Sequence, residues 1–341
     1  MSGDTETITR GTMSGGSSTT VRWRGALITM CAQWGLEALT DEPLSRHCTW
    51  RIGGPADVLI EPTSWAQLAA LLRYAEENGI PAAVIGKGSN LLFDDCGVRG
   101  VVIVVGWALS RLEIHGSTIQ AEAGISASRL AHTVGLAGLA GLEHIVGIPG
   151  TLGGLVVMNG GSLRRAIGDA IVRVQTINRR GEQRILRGDE CEFAYRRSRF
   201  QQEDAIITEV TLKLAAGDKA QVLPQMREIL RERRRRFPMT LPSCGSVFKG
   251  DVELLRKFGP PGAVIESLGF KGTRIGDAVV SSLHANFIVN VGAARAHDVL
   301  ELVRLIRRRA FDHLGHTMTC EAKYVAPDAR VRPLDEALVS G

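Results

Sequence analysis

The fifteen residues Gly147–Gly161 constrain this chain more than any other stretch. They read G-I-P-G-T-L-G-G-L-V-V-M-N-G-G, six glycines and a proline around the apolar run Leu155–Met158. Glycine serves where backbone takes unusual dihedrals or presses close to a ligand. Successive N–H groups in such a loop can cradle a phosphate. Taken alone, the glycine content fits equally well a tight turn feeding a buried strand or helix. A second loop, Gly86-Lys87-Gly88-Ser89-Asn90, follows an apolar strand predicted over Ala82–Ile85. Two such loops in one chain point to a large phosphate-bearing cofactor gripped from two sides. Neither loop reads G-x-G-x-x-G or G-x-x-x-x-G-K-[ST], so the dinucleotide fingerprint and the P-loop are both absent.

A length of 341 residues implies two or three lobes rather than one core. The formal net charge of +5 is modest for that length and comes largely from two runs, Arg233–Arg236 and Arg307–Arg309. Both fall in helical contexts and read first as solvated helix faces, next as contacts for an anionic small molecule. Nucleic acid ranks last, because no aromatic residues interleave with the arginines. The six cysteines form no C-x-x-C pair and no metal-type spacing, which implies reduced thiols, a cytoplasmic protein and no bound metal. No apolar run approaches the ~18 residues of a membrane span. Residues 1–20 are rich in Gly, Ser and Thr without an apolar signal core. They are expected to be a disordered tail, and Met13 is an alternative start to Met1.

Along the chain, residues 25–39 have a helical pattern. A strand over Val58–Glu61 precedes a helix capped by Ser64 and running to Asn78. Its Leu68, Leu71, Leu72 and Ala75 form the i, i+3, i+4, i+7 stripe, with Gly79 as the terminating glycine. With the strand at Ala82–Ile85 this makes a β-α-β unit. Strands are expected at 100–105, 117–123, 172–178, 183–186 and 205–214, with a helix over 126–134. A helix over 222–236 carries Pro224 in its first turn. Helix 262–268, strand 285–290, an amphipathic helix bearing Val299, Leu302, Val303, Ile306 and Ala310, and a strand at 323–326 follow. Residues 221–326 alternate enough to form a lobe of their own.

These segments together resemble the UDP-N-acetylenolpyruvoylglucosamine reductases. The resemblance runs from about Thr49 to Tyr324. It is carried by R-I-G-G-P-A-D (51–57), I-G-K-G-S-N-L-L (85–92), G-L-E-H-I-V-G-I-P-G-T-L-G-G (141–154), Y-R-R-S-R-F (195–200), C-G-S-V-F-K (244–249), R-I-G-D-A-V-V-S (274–281) and H-A-N-F-I-V-N (284–290), with Glu321 beyond. It implies an α+β fold: a two-lobed FAD-binding domain of the vanillyl-alcohol oxidase/PCMH type, lobes 21–85 and 86–218, and an α+β substrate-binding domain, 219–328. Residues 329–341 would be a tail. Ser246 follows Arg196 by 50 positions, which resembles the family branch lacking an extra substrate-binding insertion.

The resemblance further implies non-covalent FAD, NADPH as co-substrate and UDP-N-acetylglucosamine enolpyruvate as substrate, in peptidoglycan precursor synthesis. It implies a cytoplasmic monomer with no nucleic-acid, membrane or obligatory protein partner. FAD would be held by Arg51, by Gly86, Lys87, Gly88, Ser89, Asn90 and Leu91, by Gly147, Ile148, Pro149, Gly150, Thr151, Gly153 and Gly154, and by Asn159. Backbone N–H groups would cradle the pyrophosphate. Reduced flavin would pass hydride to the vinylic methylene carbon, building negative charge toward the substrate carboxylate. Arg196 would stabilise that charge with its fork of donors. Glu321, its pKa raised by burial, would donate a hydrogen bond to the same carboxylate. Ser246 would protonate the α-carbon. Tyr195 and Lys249 would contact substrate, Lys249 as a point charge on phosphate.

Without the family, each residue has a plainer reading: Ser246 a turn cap, Arg196 part of a surface cluster with Arg197 and Arg199, Glu321 solvated. Cys244 reads as packing, since no His or Asp at motif spacing supports covalent catalysis. His144 and His284 read as hydrogen-bonded structural histidines. The chain departs from the family pattern at Gly160–Arg165, at His47-Cys48 and at Gly250, where asparagine is common. Two other functions fit the same scaffold. A flavin oxidase would lack the Ser246/Glu321 pair, and a UDP-sugar binder without catalysis would purify colourless.

Overall fold

The computed structural model describes residues 16–339, with side chains over 23–338. The expected tail over 1–20 therefore lies outside the described residues up to 15, and from Gly16 the chain is helical. Helix α1 (Gly16–Gln33) starts and stops earlier than the 25–39 pattern suggests. Gly35, at φ +68, ends it. The following residues become β1 (Ala38–Pro43), antiparallel to β2 (Pro55–Ile60). A tertiary partner, not local periodicity, decides that change.

Helix α2 (Trp65–Glu77) follows the expected stripe. Ser64 Oγ accepts from Gln67 N–H, and Gln67 Oε1 accepts from Ser64 N–H, closing a capping box. Strands β3 (Ala82–Ile85), β4 (Leu91–Phe93) and β5 (Val98–Val104) follow. The first sheet has the order β1-β2-β5-β3, with β2, β5 and β3 parallel. Alternate residues of these strands enter different cores. Val58, Ile60, Val101 and Ile103 pack toward α2 and the middle of the chain, while Leu59, Ala83, Ile85 and Val102 pack toward the C-terminal segment.

The middle region runs β6 (Leu112–His115), β7 (Thr118–Glu122), α3 (Ala127–Leu136), β8 (Leu139–Ala140), α4 (Leu152–Met158), β9 (Ile171–Ile177), β10 (Gln183–Arg187), β11 (Ile206–Lys213), β12 (Ala215–Ala216) and α5 (Lys219–Arg236). Its main sheet is antiparallel, ordered β10-β9-β11-β7-β6. The glycine-rich stretch contains the short helix α4, capped by Thr151. Helix α5 begins at Lys219 under an Asp218 cap, so Pro224 sits beyond the first turn instead of within it.

The C-terminal region runs β13 (Phe248–Lys249), α6 (Val252–Lys257), α7 (Pro261–Ser267), β14 (Arg274–Ile275), β15 (Ala278–Val280), β16 (Ile288–Asn290), α8 (Ala296–Leu314), β17 (Thr319–Cys320), β18 (Lys323–Val325) and β19 (Val331–Pro333). It shares one core with the back of the first sheet, Trp50, Phe93, Phe248 and Ile306 among its members. Trp50 Nε1 donates to Ile288 O at 2.8 Å, and Asn290 Nδ2 donates back to Trp50 O at 3.2 Å. Strand β4 pairs in parallel with β18, which pairs with β19. Residues 329–339 are thus no tail: β19 completes a sheet and Leu334 is fully buried. Among the described residues no helix is long and apolar enough to cross a membrane, and no group of three or more His, Cys, Asp and Glu is placed to hold a metal.

Candidate active site

A cavity of about 1410 Å³ opens where the two main sheets and the C-terminal region meet. Single-ligand pockets usually measure about 300–1,000 Å³, so this one has room for a cofactor and a substrate together. Every residue from Gly86 to Leu91 lines it. Among the described residues, the backbone N–H groups of 86–90 have no protein acceptor. Such groups need a partner once covered, and a diphosphate provides one. Gly88 is in the left-handed region at φ +59, and a Cβ there would strike His47 O and lie 2.8 Å from Cys48 Cα.

Ile148, Pro149, Gly150, Thr151, Gly153 and Gly154 line the adjoining wall. Most N–H groups of that stretch are already engaged: Ile148 with Ile145 O, Leu152 with Ile125 O, Gly153 with Ala123 O, and Gly154 with Thr151 Oγ1. The second loop is therefore chiefly a shaped wall that adds the open N–H groups of Gly150 and Thr151, and most of the free donors belong to the first. The two loops touch, since a Cβ at Gly86 would meet Thr151 Oγ1 and, at 3.1 Å, Thr151 Cγ2. Together, open donors and close walls fit the pyrophosphate of a dinucleotide-like cofactor.

Five residues expected at the site lie away from the cavity wall. Gly147 faces α5: its N–H donates to Ser128 Oγ at 3.1 Å, and a Cβ would sit 2.7 Å from Leu230. Asn159 ends α4 in a left-handed conformation, and its side chain is engaged with Ala194 O at 2.8 Å and Gly168 N–H at 3.0 Å. Arg51 is exposed. Tyr195 is 66% exposed, with the Arg196 guanidinium over its ring at 5.5 Å. Lys249 pairs across β13–β17 with Thr319 and is not on the cavity wall, although its charge acts on Glu321 and Lys323. The extended loop geometry that a sequence motif implies does not say which side of the loop each side chain takes.

Ser246, Arg196 and Glu321 come from three separate segments and meet on one wall. Arg196 adopts φ +54 in a loop tied to α4, where Ser198 Oγ donates to Val157 O at 2.7 Å and Gln201 Nε2 donates to Arg196 O at 3.0 Å. Its Nη2 donates to Gly161 O at 3.3 Å, and its Nε lies 2.6 Å from Glu321 Oε1. That Nε–H is not aimed for a hydrogen bond, so the pair is an electrostatic contact with an unused donor. Glu321 is fixed through its backbone: its N–H donates to Val247 O at 2.7 Å, and its carbonyl accepts from Asn90 Nδ2 at 3.2 Å. Burial pushes the Glu321 carboxyl above the usual range, against the opposing pull of Arg196, Lys249 and Lys323.

Ser246 follows Gly245, at φ +84. Buried Asn286 holds the strand beyond it: Oδ1 accepts from Phe248 N–H at 2.9 Å and Nδ2 donates to Phe248 O at 2.8 Å, while Val247 N–H donates to Asn286 O. No protein group engages the Ser246 hydroxyl among the described residues, which leaves it able to act on a ligand. Cys244 also lines the cavity, but burial and then Glu321 push its thiol well above the ordinary range, so it stays protonated.

Other cavity residues escaped the sequence reading. Arg233 was grouped with a solvated basic run. Arg234, Arg235 and Arg236 are exposed, but Arg233 turns inward with a buried, unpartnered Nε, over the Phe237 ring at 5.3 Å. The signal was helical spacing from buried Val222 and Met226 through Leu230. Phe237 stacks on Phe287 at 5.1 Å between ring centroids, and both line the cavity. Lys323 does too. His284 accepts from Asn286 N–H through Nδ1, whereas among the described residues neither ring nitrogen of buried His144 has a partner at hydrogen-bond geometry, contrary to expectation. Burial lowers the pKa of both.

The two sheets and their loop-lined cavity define an FAD-binding protein: residues 56–187 match the family model described as an FAD binding domain. Residues 237–325 match a second model, the C-terminal domain of UDP-N-acetylenolpyruvoylglucosamine reductase. The chain is 41% identical over 297 residues to UDP-N-acetylenolpyruvoylglucosamine reductase 1 of Corynebacterium glutamicum, covering 87% of this chain and 89% of that one. It is 43% identical over 298 residues to the reductase of Heliobacterium modesticaldum, covering 86% and 91%. The crystal structure of the Thermus caldophilus reductase superimposes with a TM-score of 0.71 at 33% identity, over 85% of this chain and 98% of that one. The chain belongs to the UDP-N-acetylenolpyruvoylglucosamine reductase family.

Proposed function

We propose that this protein, with FAD bound, uses NADPH to reduce UDP-N-acetylglucosamine enolpyruvate to UDP-N-acetylmuramate, a step of peptidoglycan precursor synthesis. The observation that carries this reading is the meeting of Ser246, Arg196 and Glu321 on one wall of a cavity that also holds the open N–H groups of residues 86–90. FAD, when bound, supplies the redox chemistry that couples NADPH to the enol ether.

The chain's own groups do the rest. The Gly86–Asn90 backbone, with the Ser89 and Asn90 side chains, holds the pyrophosphate. The wall from Ile148 to Gly154 fixes its depth. Arg196 faces the substrate carboxylate and meets the negative charge that grows there. Glu321, its pKa raised by burial, would in its protonated form donate to that carboxylate instead of repelling it. Ser246 Oγ–H delivers the proton to the α-carbon, and its hydroxyl has no competing protein partner. Arg51, Gly147, Asn159, Tyr195 and Lys249 act through loop shape or charge, not contact. The first lobe of the cofactor domain reaches past 85, since β5 joins its sheet, the second lobe takes in α5, whose Val222 and Met226 belong to its core, and the substrate domain runs from beyond α5 past 328 to include β19. All these groups come from one chain, which supports action as a monomer. Six free cysteines, five of them buried, support a reducing cytoplasm.

The test is an anaerobic visible spectrum of the FAD-loaded protein. Bleaching by NADPH, and recovery only on adding the UDP-enolpyruvyl sugar, is the expected result. Recovery only with air would move the protein to the oxidases. Protein that cannot be loaded with FAD would overturn the enzyme reading.

A further inference from the structure

The Arg196–Glu321 pair leaves a charge problem at the reacting end of the cavity. With Glu321 ionised, the pair is neutral overall. With Glu321 protonated, Arg196 alone faces a carboxylate that gains further negative charge as the reaction proceeds. A second cation there would stabilise that charge more in the transition state than before it. Lys323 stands two residues beyond Glu321 and lines the cavity.

The sheet fixes its direction. Lys323 lies opposite Leu91 on one side and Pro333 on the other, and all three line the cavity. In the next row Tyr324 and Leu92 are buried in the core, as the alternation of a strand requires, while Arg332 on the edge strand β19 also lines the cavity. Lys323 N–H donates to Asn90 O at 2.9 Å, so the lysine is anchored directly to the last residue of the phosphate loop. Among the described residues its ammonium has no hydrogen-bond acceptor and no carboxylate within 4.0 Å, although ion pairs are frequent elsewhere in the chain. Half-buried and without a close ion pair, it is only partly compensated for its desolvation until an anion arrives. Burial and then Lys249 lower its pKa, while Asp335, Glu336 and Glu321 oppose them. Arg233, Arg332 and Lys249 are also without an acidic partner; Arg233 and Arg332 do not act on the Glu321 carboxyl, and Lys249, which does so more than Lys323, is not on the cavity wall.

We propose that Lys323 is a further catalytic residue, the cation that joins Arg196 at the substrate's carboxylate end and stabilises the charge formed there. The proposal rests on the reaction proposed above. Its chemistry is that of a point charge, which Arg can replace in sign and Met in length only.

The experiment measures the two half-reactions separately by anaerobic stopped-flow on FAD-loaded wild type, Lys323→Met and Lys323→Arg. The expected result for Lys323→Met is reoxidation by saturating enol ether slowed by about 10²-fold, with reduction by NADPH within a few-fold of wild type. Lys323→Arg should recover most of the loss. A weaker affinity for UDP and for the UDP-sugar with an unchanged maximal rate would assign Lys323 to the phosphates and overturn the placement. Equal slowing of both half-reactions, or an Arg variant as slow as the Met variant, would make the lysine structural and overturn the proposal. Wild-type flavin that is reduced but never reoxidised by the enol ether would overturn the underlying reaction and this role with it.

Discussion

Substituting Gly88 by alanine tests whether the first glycine loop is shaped by its neighbours for holding phosphate. Two penalties combine at this position. Residue 88 sits at φ +59, where an L-residue costs roughly 1–2 kcal/mol. The new Cβ would also strike His47 O and lie 2.8 Å from Cys48 Cα, whereas ordinary contact begins near 3.4 Å. Both obstacles are backbone, so they cannot rotate away, and the loop must retreat by at least ~0.6 Å, with an overpacking cost of about 1–3 kcal/mol. Gly116 is the control. It has φ +60 but nothing within 4 Å of its Cβ, so Gly116→Ala carries the backbone penalty alone. Thermal unfolding should show Gly88→Ala destabilised beyond Gly116→Ala by about 1–3 kcal/mol. FAD affinity, measured by equilibrium dialysis or flavin fluorescence, should fall at least tenfold in Gly88→Ala and stay near wild type in Gly116→Ala. Equal melting shifts, or unaltered FAD affinity in Gly88→Ala, would refute the reasoning.

Ser246→Ala should leave reduction by NADPH nearly normal and slow reoxidation by the enol ether about 10²–10⁴-fold, the usual contribution of a positioned acid. Stopped-flow absorbance separates the two, and equal slowing of both would mark Ser246 as structural. Asn286→Ala removes two buried hydrogen bonds to Phe248 and strands both backbone groups. A loss of about 2–4 kcal/mol in chemical denaturation is expected, with slower reoxidation because the Ser246 strand loosens. Glu321 has a folded-state pKa above its unfolded value, so its contribution to stability is greatest at low pH and declines as pH rises through the folded pKa. Glu321→Gln should therefore gain melting temperature relative to wild type as pH rises from 5 to 8. A difference independent of pH would contradict the raised pKa.

Local patterns made much of the fold legible. The α2 stripe with its Ser64–Gln67 cap and the apolar face of α8 were readable because burial there follows one helical period. The strands β5, β7, β9 and β11 were readable because apolar β-branched runs were bounded by turns. The ends were not readable. Helix α1 stops at Gln33 before the left-handed Gly35, a local signal, but β1 begins at Ala38 because β2 offers a hydrogen-bonding edge, and nothing local announces that. Residues 331–339 look like a polar tail until β18 offers β19 its edge.

The sequence by itself determined the two glycine loops, the family motifs and the chemical types of Ser246, Arg196 and Glu321. These are properties of residue identity and spacing, and they survive without coordinates in space. Only the tertiary structure decided which groups share the cavity. It brought Arg196 within 2.6 Å of Glu321 and buried that carboxyl enough to raise its pKa. It turned Arg233 and Lys323 inward and left Gly147, Asn159 and Tyr195 outside the wall. The reason is physical. Side-chain direction, burial and electrostatic coupling arise from contacts between segments far apart in the chain, and a motif records which residues are present but not which way the packed backbone makes them face.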